Sequence, residues 1–237
     1  MNWNREDLRY VRRQHYGERM LVLVAMASAV LCYLWNLVCL YDGKTEKGTG
    51  RAGYLLCMNG KRGIALLVCF AFCGALTWLF SEYGYGPLKA VRYLLLLSLL
   101  FPIAREDAKE KRIPNRWLLY ILLCRGALFT AEMFVFPAMR MENLKFTLLG
   151  GVISGAVFYL AYVLSGHALG MGDVKLVAVI GTCLGAGTTY LVMVAALIFS
   201  AIYGGSQVLC GKKGMKDEIA FGPFLALGTL VILLIGA

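Results

Sequence analysis

The sequence predicts an all-α fold, a polytopic transmembrane helical bundle of about eight spans, one of them short and lying just after Asp173. Three observations lead there. Hydrophobic residues make up 59% of the chain and charged ones 16%, whereas a soluble domain carries about 25% charged residues. The charges gather in short clusters between apolar runs, as they do in the loops of a membrane protein. Several of those runs approach the roughly 20 residues a helix needs to cross a bilayer. The same clustering argues against nucleic acid as the partner of the +10 formal charge, since solvated basic loops account for it.

Taken in order, residues 20–41 form an uncharged run behind about nineteen polar residues. That polar lead is too long for a cleavable signal peptide, so the run is expected to be retained as a span. Residues 64–80 form a second, shorter run, and residues 88–104 a third, with Lys89 and Arg92 near its start where their stems can snorkel. The span over 117–139 contains Arg125 and Glu132. These are two helical turns apart, share a face, and are expected to form a buried pair pointing into the bundle. Residues 146–165 are a clean span. The uncharged stretch 176–209 is too long for one helix, and Gly181, Gly185 and Gly187 offer a break, which predicts a short helix over 174–184 and a full one over 189–209. The last span begins near residue 219.

A helix of about a dozen residues, rising 1.5 Å per residue, covers only part of a hydrocarbon core roughly 30 Å thick. Asp173 is therefore expected below the membrane surface, where irregular backbone is tolerated only inside protein or beside a water-filled cavity. Gly166, Gly170 and Gly172 are expected to build the loop there, through positive φ and close backbone approach.

Basic loops set the orientation. Arg105, Lys109, Lys111, Arg112 and Arg116 lie in one connection, and Lys212, Lys213 and Lys216 in another. Both fall on one side, which makes that side cytoplasmic and puts the uncharged-to-acidic 81–87 loop outside. Residues 42–63, with Lys44, Lys47, Arg51, Lys61 and Arg62, then also lie inside. The Arg-rich N-terminal tail comes out external, so either it is an exception or one of the first two apolar runs is re-entrant or lies on the surface. The cysteines at 32, 39, 57, 69, 73, 124, 183 and 210 fall mostly within apolar segments and form no Cys-x-x-Cys pair. They read as small core residues.

Two acids stand out. Asp173 lies at the mouth of the 176–209 run, and an acid beside that much hydrocarbon is by default functional. Asp107 occupies a comparable place, after the apolar stretch 93–104 and before Lys109, Lys111 and Arg112. Two acids at two membrane edges suggest one aqueous site. Each also has a plainer reading. Asp173 could cap the following helix, worth about 1 kcal/mol, and Asp107 could be an interfacial acid balanced by Lys109 and Lys111. Lys175 either snorkels or balances the acids' charge. His167 reads as structural, and Pro114 with Asn115 as a helix-start turn.

Asp107 followed by Arg112, Ile113, Pro114 and Asn115, then Gly170, Met171, Gly172, Asp173, Val174, Lys175 and Leu176, then Phe221, Gly222, Pro223, Phe224 and Leu225, resembles the signature of type IV prepilin peptidases. These are intramembrane aspartic proteases of the GxGD kind, and the resemblance covers residues 90–237 in the family's order. Arg105 and Glu106 before the first acid, and Ala220 before the last motif, depart from its usual pattern. The resemblance implies that Asp107 and Asp173 are the catalytic pair and that Gly170 and Gly172 support them. No cofactor or metal is expected. Phe221 to Leu225 either line a substrate groove or pack. Residues 86–237 would form the peptidase-like membrane domain, and residues 1–85 a tail and two extra apolar segments of no assigned role.

The chemistry is consistent with that implication. Hydrolysing a peptide bond without a nucleophilic side chain needs one group to take a proton from water and another to donate one. Two neighbouring carboxylates sharing a proton supply both. The expected protein is thus a multi-pass endopeptidase of the inner or plasma membrane, its site facing the cytoplasm, that removes short basic leaders from prepilin-like proteins. A cation- or proton-coupled transporter, and a catalytically silent assembly subunit of a pilus or secretion system, are the alternatives. Many prepilin peptidases also methylate the new N-terminus through a cytoplasmic domain after the first span. Here the corresponding residues 42–63 contain a single cysteine, Cys57, and are too few to fold as such a domain, so methyltransferase activity is expected to be absent.

Overall fold

The computed structural model describes residues 71–80, 82–135, 137, 140–166, 169–211 and 219–236. Every regular element among them is a helix. The elements are α1 (Ala71–Phe80), α2 (Pro87–Glu110), α3 (Asn115–Val135), α4 (Arg140–Leu164), α5 (Met171–Leu184), α6 (Ala186–Leu209) and α7 (Gly222–Ile235). Helices α3, α4 and α6 are long and apolar enough to cross a membrane. The expected span over 20–41, the 42–63 loop, His167 and the Lys212 to Lys216 loop lie outside the described residues.

Two compact units divide between Leu94 and Leu95. In the described part of the first, Tyr85 stands between Phe80 and Tyr93, with ring centroids 5.7 Å from each. Lys89 Nζ lies 3.9 Å above the Tyr85 ring, so this lysine covers an aromatic face with its charge.

The second unit is organised around α5. Val174, Leu176, Val177, Val179, Ile180, Cys183 and Leu184 are all buried, so beyond Lys175 this helix is enclosed on most sides, as a central helix must be. It packs against α3, α4, α6 and α7. Its closest neighbour is α4, where Gly150, Gly151 and Gly155 face Gly181, Thr182 and Ala178. A Cβ at Gly150 would overlap the Gly181 carbonyl oxygen. Removing side chains there lets two backbones touch, the usual source of helix attraction where water supplies no hydrophobic force. Outward faces carry Leu119, Leu123, Val152, Leu160, Ile198 and Ile202, all exposed, as lipid-facing positions are.

The helix boundaries differ from expectation in instructive places. The span expected over 88–104 continues as helix to Glu110. Hydropathy ends at Ala104, but Arg105, Glu106, Ala108, Lys109 and Glu110 are good helix formers that carry the helix beyond the apolar segment. Asp107 is thus helical, not part of a turn. The connection expected over 105–116 shrinks to residues 111–114. It is closed by the Lys111 amide donating to the Asp107 carbonyl at 2.8 Å, with Lys111 in the left-handed region at φ 52°. Pro114 biases Ile113 towards extended backbone, and α3 starts at Asn115, the helix-start turn read from sequence. The break between α5 and α6 falls at Gly185, whose φ of 80° suits glycine. The Phe146 ring packs into the space a side chain would need there. Gly187, by contrast, faces open space.

Candidate active site

Asp107 is on the last turns of α2 and only 4% exposed. Its Oδ2 accepts a hydrogen bond from the Gly222 backbone N–H at 2.8 Å. The first amides of a helix have no partner within it, and the backbone pairing at the start of α7 is fully accounted for. Gly222 donates to Asp107, Pro223 has no N–H, and Phe224 and Leu225 donate to the Phe221 carbonyl at 3.0 and 3.1 Å. A carboxylate from a distant segment thereby caps α7, at the end where the helix dipole favours negative charge. A Cβ at Gly222 would stand 2.8 Å from Asp107 Oδ2. Phe221 stacks on buried Phe158 of α4 at 5.7 Å between centroids, which holds this helix start in place.

Asp173 is the third residue of α5. The N-cap position belongs to Gly170, which makes no side-chain cap bond, so the capping reading of Asp173 is replaced by a first-turn placement. There its charge meets the positive helix end. The Asp173 amide donates to the Gly170 carbonyl at 3.0 Å. A Cβ at Gly170 would come within 2.9 Å of Asp173 Oδ2, so the glycine leaves room for the carboxylate. Gly172 is inside the helix, not in a loop, and a Cβ there would stand 3.2 Å from Ile113 Cβ. Of the three glycines expected to build the loop, Gly166 has positive φ, at 64°, whereas Gly170 is extended at φ −76°.

Both acids lie outside the three helices long and apolar enough to cross the membrane. Burial pushes the Asp107 carboxyl above its ordinary value, and the Gly222 hydrogen bond opposes that rise. Asp173 is pushed up to about 7, first by burial and then by the charge of Asp107, against a backbone hydrogen bond from Gly170. The Asp173 carboxyl therefore feels the charge of Asp107.

The neighbouring polar residues are otherwise engaged. Glu106 accepts from Arg116 Nη2 at 2.7 Å and from Trp117 Nε1, which ties down the charge beside Asp107. Lys175 is exposed and reaches Asn115 Oδ1 at 3.4 Å. Deeper in the bundle, Arg125 and Glu132 pair at 3.1 Å, both buried, as their spacing predicts. Among the described residues no cluster of His, Cys, Asp and Glu has the makings of a metal site. Sequence reading missed the Gly222 amide. Its signal was Pro223, a residue favoured at helix starts, which marks the preceding amide as one in need of an outside acceptor.

A bundle of apolar helices, three of them long and apolar enough to cross a membrane, defines a helical membrane protein. A sequence model of the type IV leader peptidase family matches residues 94–205. The chain is 31% identical over 152 residues to the leader peptidase HopD of Escherichia coli, a match covering 60% of this chain and 89% of that protein. It is 27% identical over 143 residues to a prepilin leader peptidase/N-methyltransferase of Bacillus subtilis (60% of this chain, 55% of that one). To a protein of the same description from Pectobacterium carotovorum it is 31% identical over 173 residues (70% and 57%). This chain belongs to the type IV leader peptidase family. It spans about half the length of the first two-function relatives it matches. No solved structure matches it.

Proposed function

We propose that this protein is a membrane-embedded aspartic endopeptidase that cleaves short basic leader peptides from type IV prepilin-like proteins near the cytoplasmic membrane face. The observation that carries this reading is the placing of two acids at helix ends, Asp107 held by the Gly222 N–H and Asp173 pushed up to about 7, first by burial and then by the charge of Asp107. A pair that holds one proton at neutral pH has a base and an acid ready together. Asp173, whose carboxyl is pushed up to about 7, holds the shared proton in this reading, and Asp107, which accepts the Gly222 N–H, is the base. Asp107 takes a proton from water as the water oxygen attacks the scissile carbonyl carbon, and Asp173 gives its proton to the carbonyl oxygen. Collapse of the tetrahedral intermediate breaks the C–N bond, the proton on Asp107 passes to the leaving amine, and the hydroxyl proton returns to Asp173.

The cytoplasmic placement is supported by exposed Lys109, Lys111, Arg112 and Lys175 around the two acids. Residues 86–237 form the peptidase-like domain in this reading, with Gly170 and Gly172 supporting Asp173. N-methylation is absent from it, on the length of the 42–63 segment. The relatives from Bacillus and Pectobacterium carry both activities in their description, whereas the Escherichia coli relative is described as a leader peptidase alone.

The test is to incubate the purified protein in detergent with a prepilin-like peptide and follow products by mass spectrometry. A single cut separating leader from apolar helix is expected. Intact peptide after prolonged incubation with folded protein would overturn the assignment in favour of a transporter or a silent assembly subunit.

A further inference from the structure

Helix α5 ends inside the bundle, and its last carbonyls need partners that a continuing helix would have supplied. The Gly181 carbonyl receives the Gly185 amide at 2.9 Å. The Thr182 carbonyl receives Arg125 Nε at 3.0 Å, from the middle of α3. The same guanidinium donates through Nη1 to Glu132 at 3.1 Å and through Nη2 to Thr147 of α4 at 2.6 Å. Arg125 is 3% exposed and Glu132 5% exposed. Beside Thr147, the Phe146 ring fills the space over Gly185. One fork thus joins three helices at the point where α5 stops, and its positive charge meets the negative end of the α5 dipole. A simple ion pair along α3 would need only Glu132.

We infer that Arg125 is a positioning residue that clamps the C-terminal end of α5 and thereby sets the place of Asp173 at its other end. This rests on the peptidase reading above for its functional consequence, but the clamp itself does not. The helix is 14 residues long, about 21 Å at 1.5 Å per residue, and it moves as a rod. A small tilt or rotation at the Thr182 end is carried to Asp173, while Asp107 stays with Gly222 of α7. The clamp is chemically specific. A planar guanidinium presents its donors from three nitrogens in a rigid fork, whereas a lysine in its place has its three donors on one nitrogen at the end of a flexible stem.

Three variants test this in purified, folded, monodisperse protein, with rates expressed per folded molecule. Arg125→Met combined with Glu132→Leu removes both charges, so no unpaired charge is left buried, yet leaves the Thr182 carbonyl without its donor. Arg125→Lys keeps the charge opposite Glu132 but not the fork. Thr147→Val removes one arm. The first two are expected to lower kcat by about ten-fold or more with KM within about two-fold, because substrate binding persists while the acids are misaligned. Thr147→Val is expected to give a smaller loss of the same kind. A merely structural Arg125 would lower the yield of folded protein and leave kcat per folded molecule unchanged. If Arg125→Lys keeps kcat within about two-fold of wild type, the inference is overturned. Should the double variant not fold, Arg125→Lys and Thr147→Val decide by the same criterion. Should the wild type cleave no peptide, the peptidase reading fails by itself. Amide hydrogen exchange then decides the clamp: faster exchange across residues 171–184 than across 222–235 in Arg125→Lys supports it, and unchanged exchange overturns it.

Discussion

Gly222 donates its backbone N–H to Asp107 Oδ2 at 2.8 Å across a sequence separation of 115 residues. This bond joins the end of one helix to the start of another, and it opposes the rise that burial imposes on the Asp107 carboxyl. It also makes a glycine part of the site for a reason unrelated to backbone flexibility, since the space of its missing side chain is occupied by the Asp107 carboxylate.

In the proposed mechanism each aspartate supplies a different half of the proton traffic. Asp107→Asn and Asp173→Asn are each expected to abolish leader cleavage while the protein remains folded. Retention of more than about a tenth of the wild-type rate by either variant, equivalent to only about 1.4 kcal/mol of barrier, would show that the pair is not the catalytic machinery. Gel-based cleavage of a prepilin-like substrate is sufficient to read this.

The raised carboxyl at Asp173 has a signature in stability as well as in activity. Folding moves it from its ordinary value of 3.8 up to about 7, so between those values the folded protein holds a proton that the unfolded chain has released. Stability therefore falls as pH rises from about 4 through about 7. Asp173→Asn escapes that loss. It forgoes the interaction of an ionised Asp173 with the α5 terminus, worth about 0.3–1 kcal/mol, which is the smaller effect. Thermal unfolding in detergent is expected to show Asp173→Asn melting higher than wild type at pH 8, by about 2–4 °C for each kcal/mol relieved, with the advantage gone at pH 4. Equal melting temperatures at pH 8 would count against a buried, charge-coupled Asp173.

Two glycines test the fit of backbone to the acids. A methyl at Gly222 would meet Asp107 Oδ2 at 2.8 Å and Asp107 Cβ at 3.1 Å. Gly222→Ala is expected to lower the cleavage rate by about ten-fold or more at unchanged expression. At Gly172 the obstacle is Ile113 Cβ at 3.2 Å, so Ala should be tolerated better than Val, and Gly172→Val should be strongly impaired. Gly187 faces open space and Gly187→Ala serves as the control. Normal cleavage by Gly222→Ala would mean that Asp107 does not depend on the close approach of α7.

Peptidase activity without methylation predicts a free amine on the product. With this protein as the sole processing activity and S-adenosylmethionine present, mass spectrometry of the mature substrate should give the unmodified mass. An increment of about 14 Da, one methyl replacing one hydrogen, would overturn the prediction.

Much of the bundle was legible in the chain because a bilayer is a simple selector. Long uncharged runs mark helices, and the break in the 176–209 stretch was readable because no single helix of that length fits the membrane. The Arg125 and Glu132 pair was readable from helical periodicity and the expense of burying charge. Where helices start and stop was less legible. The continuation of α2 to Glu110 depends on helix propensity outside the bilayer, to which hydropathy is blind. The choice of Gly185 over Gly181 and Gly187 depends on what faces each one: a Phe146 ring, the α4 backbone, and open space, respectively.

The sequence by itself determined the class of protein, the family likeness and the two acids worth attention, since composition, motif order and the price of charge near hydrocarbon are all local properties. The tertiary structure decided that Asp107 caps α7 through Gly222, that Asp173 occupies the first turn of α5 within reach of Asp107's charge, and that Arg125 donates to a carbonyl at the far end of that helix. Those relationships join residues dozens of positions apart through backbone amides and carbonyls. Every residue type carries those groups, so no residue letter announces them, and only the packed arrangement of the helices shows which amide meets which carboxylate.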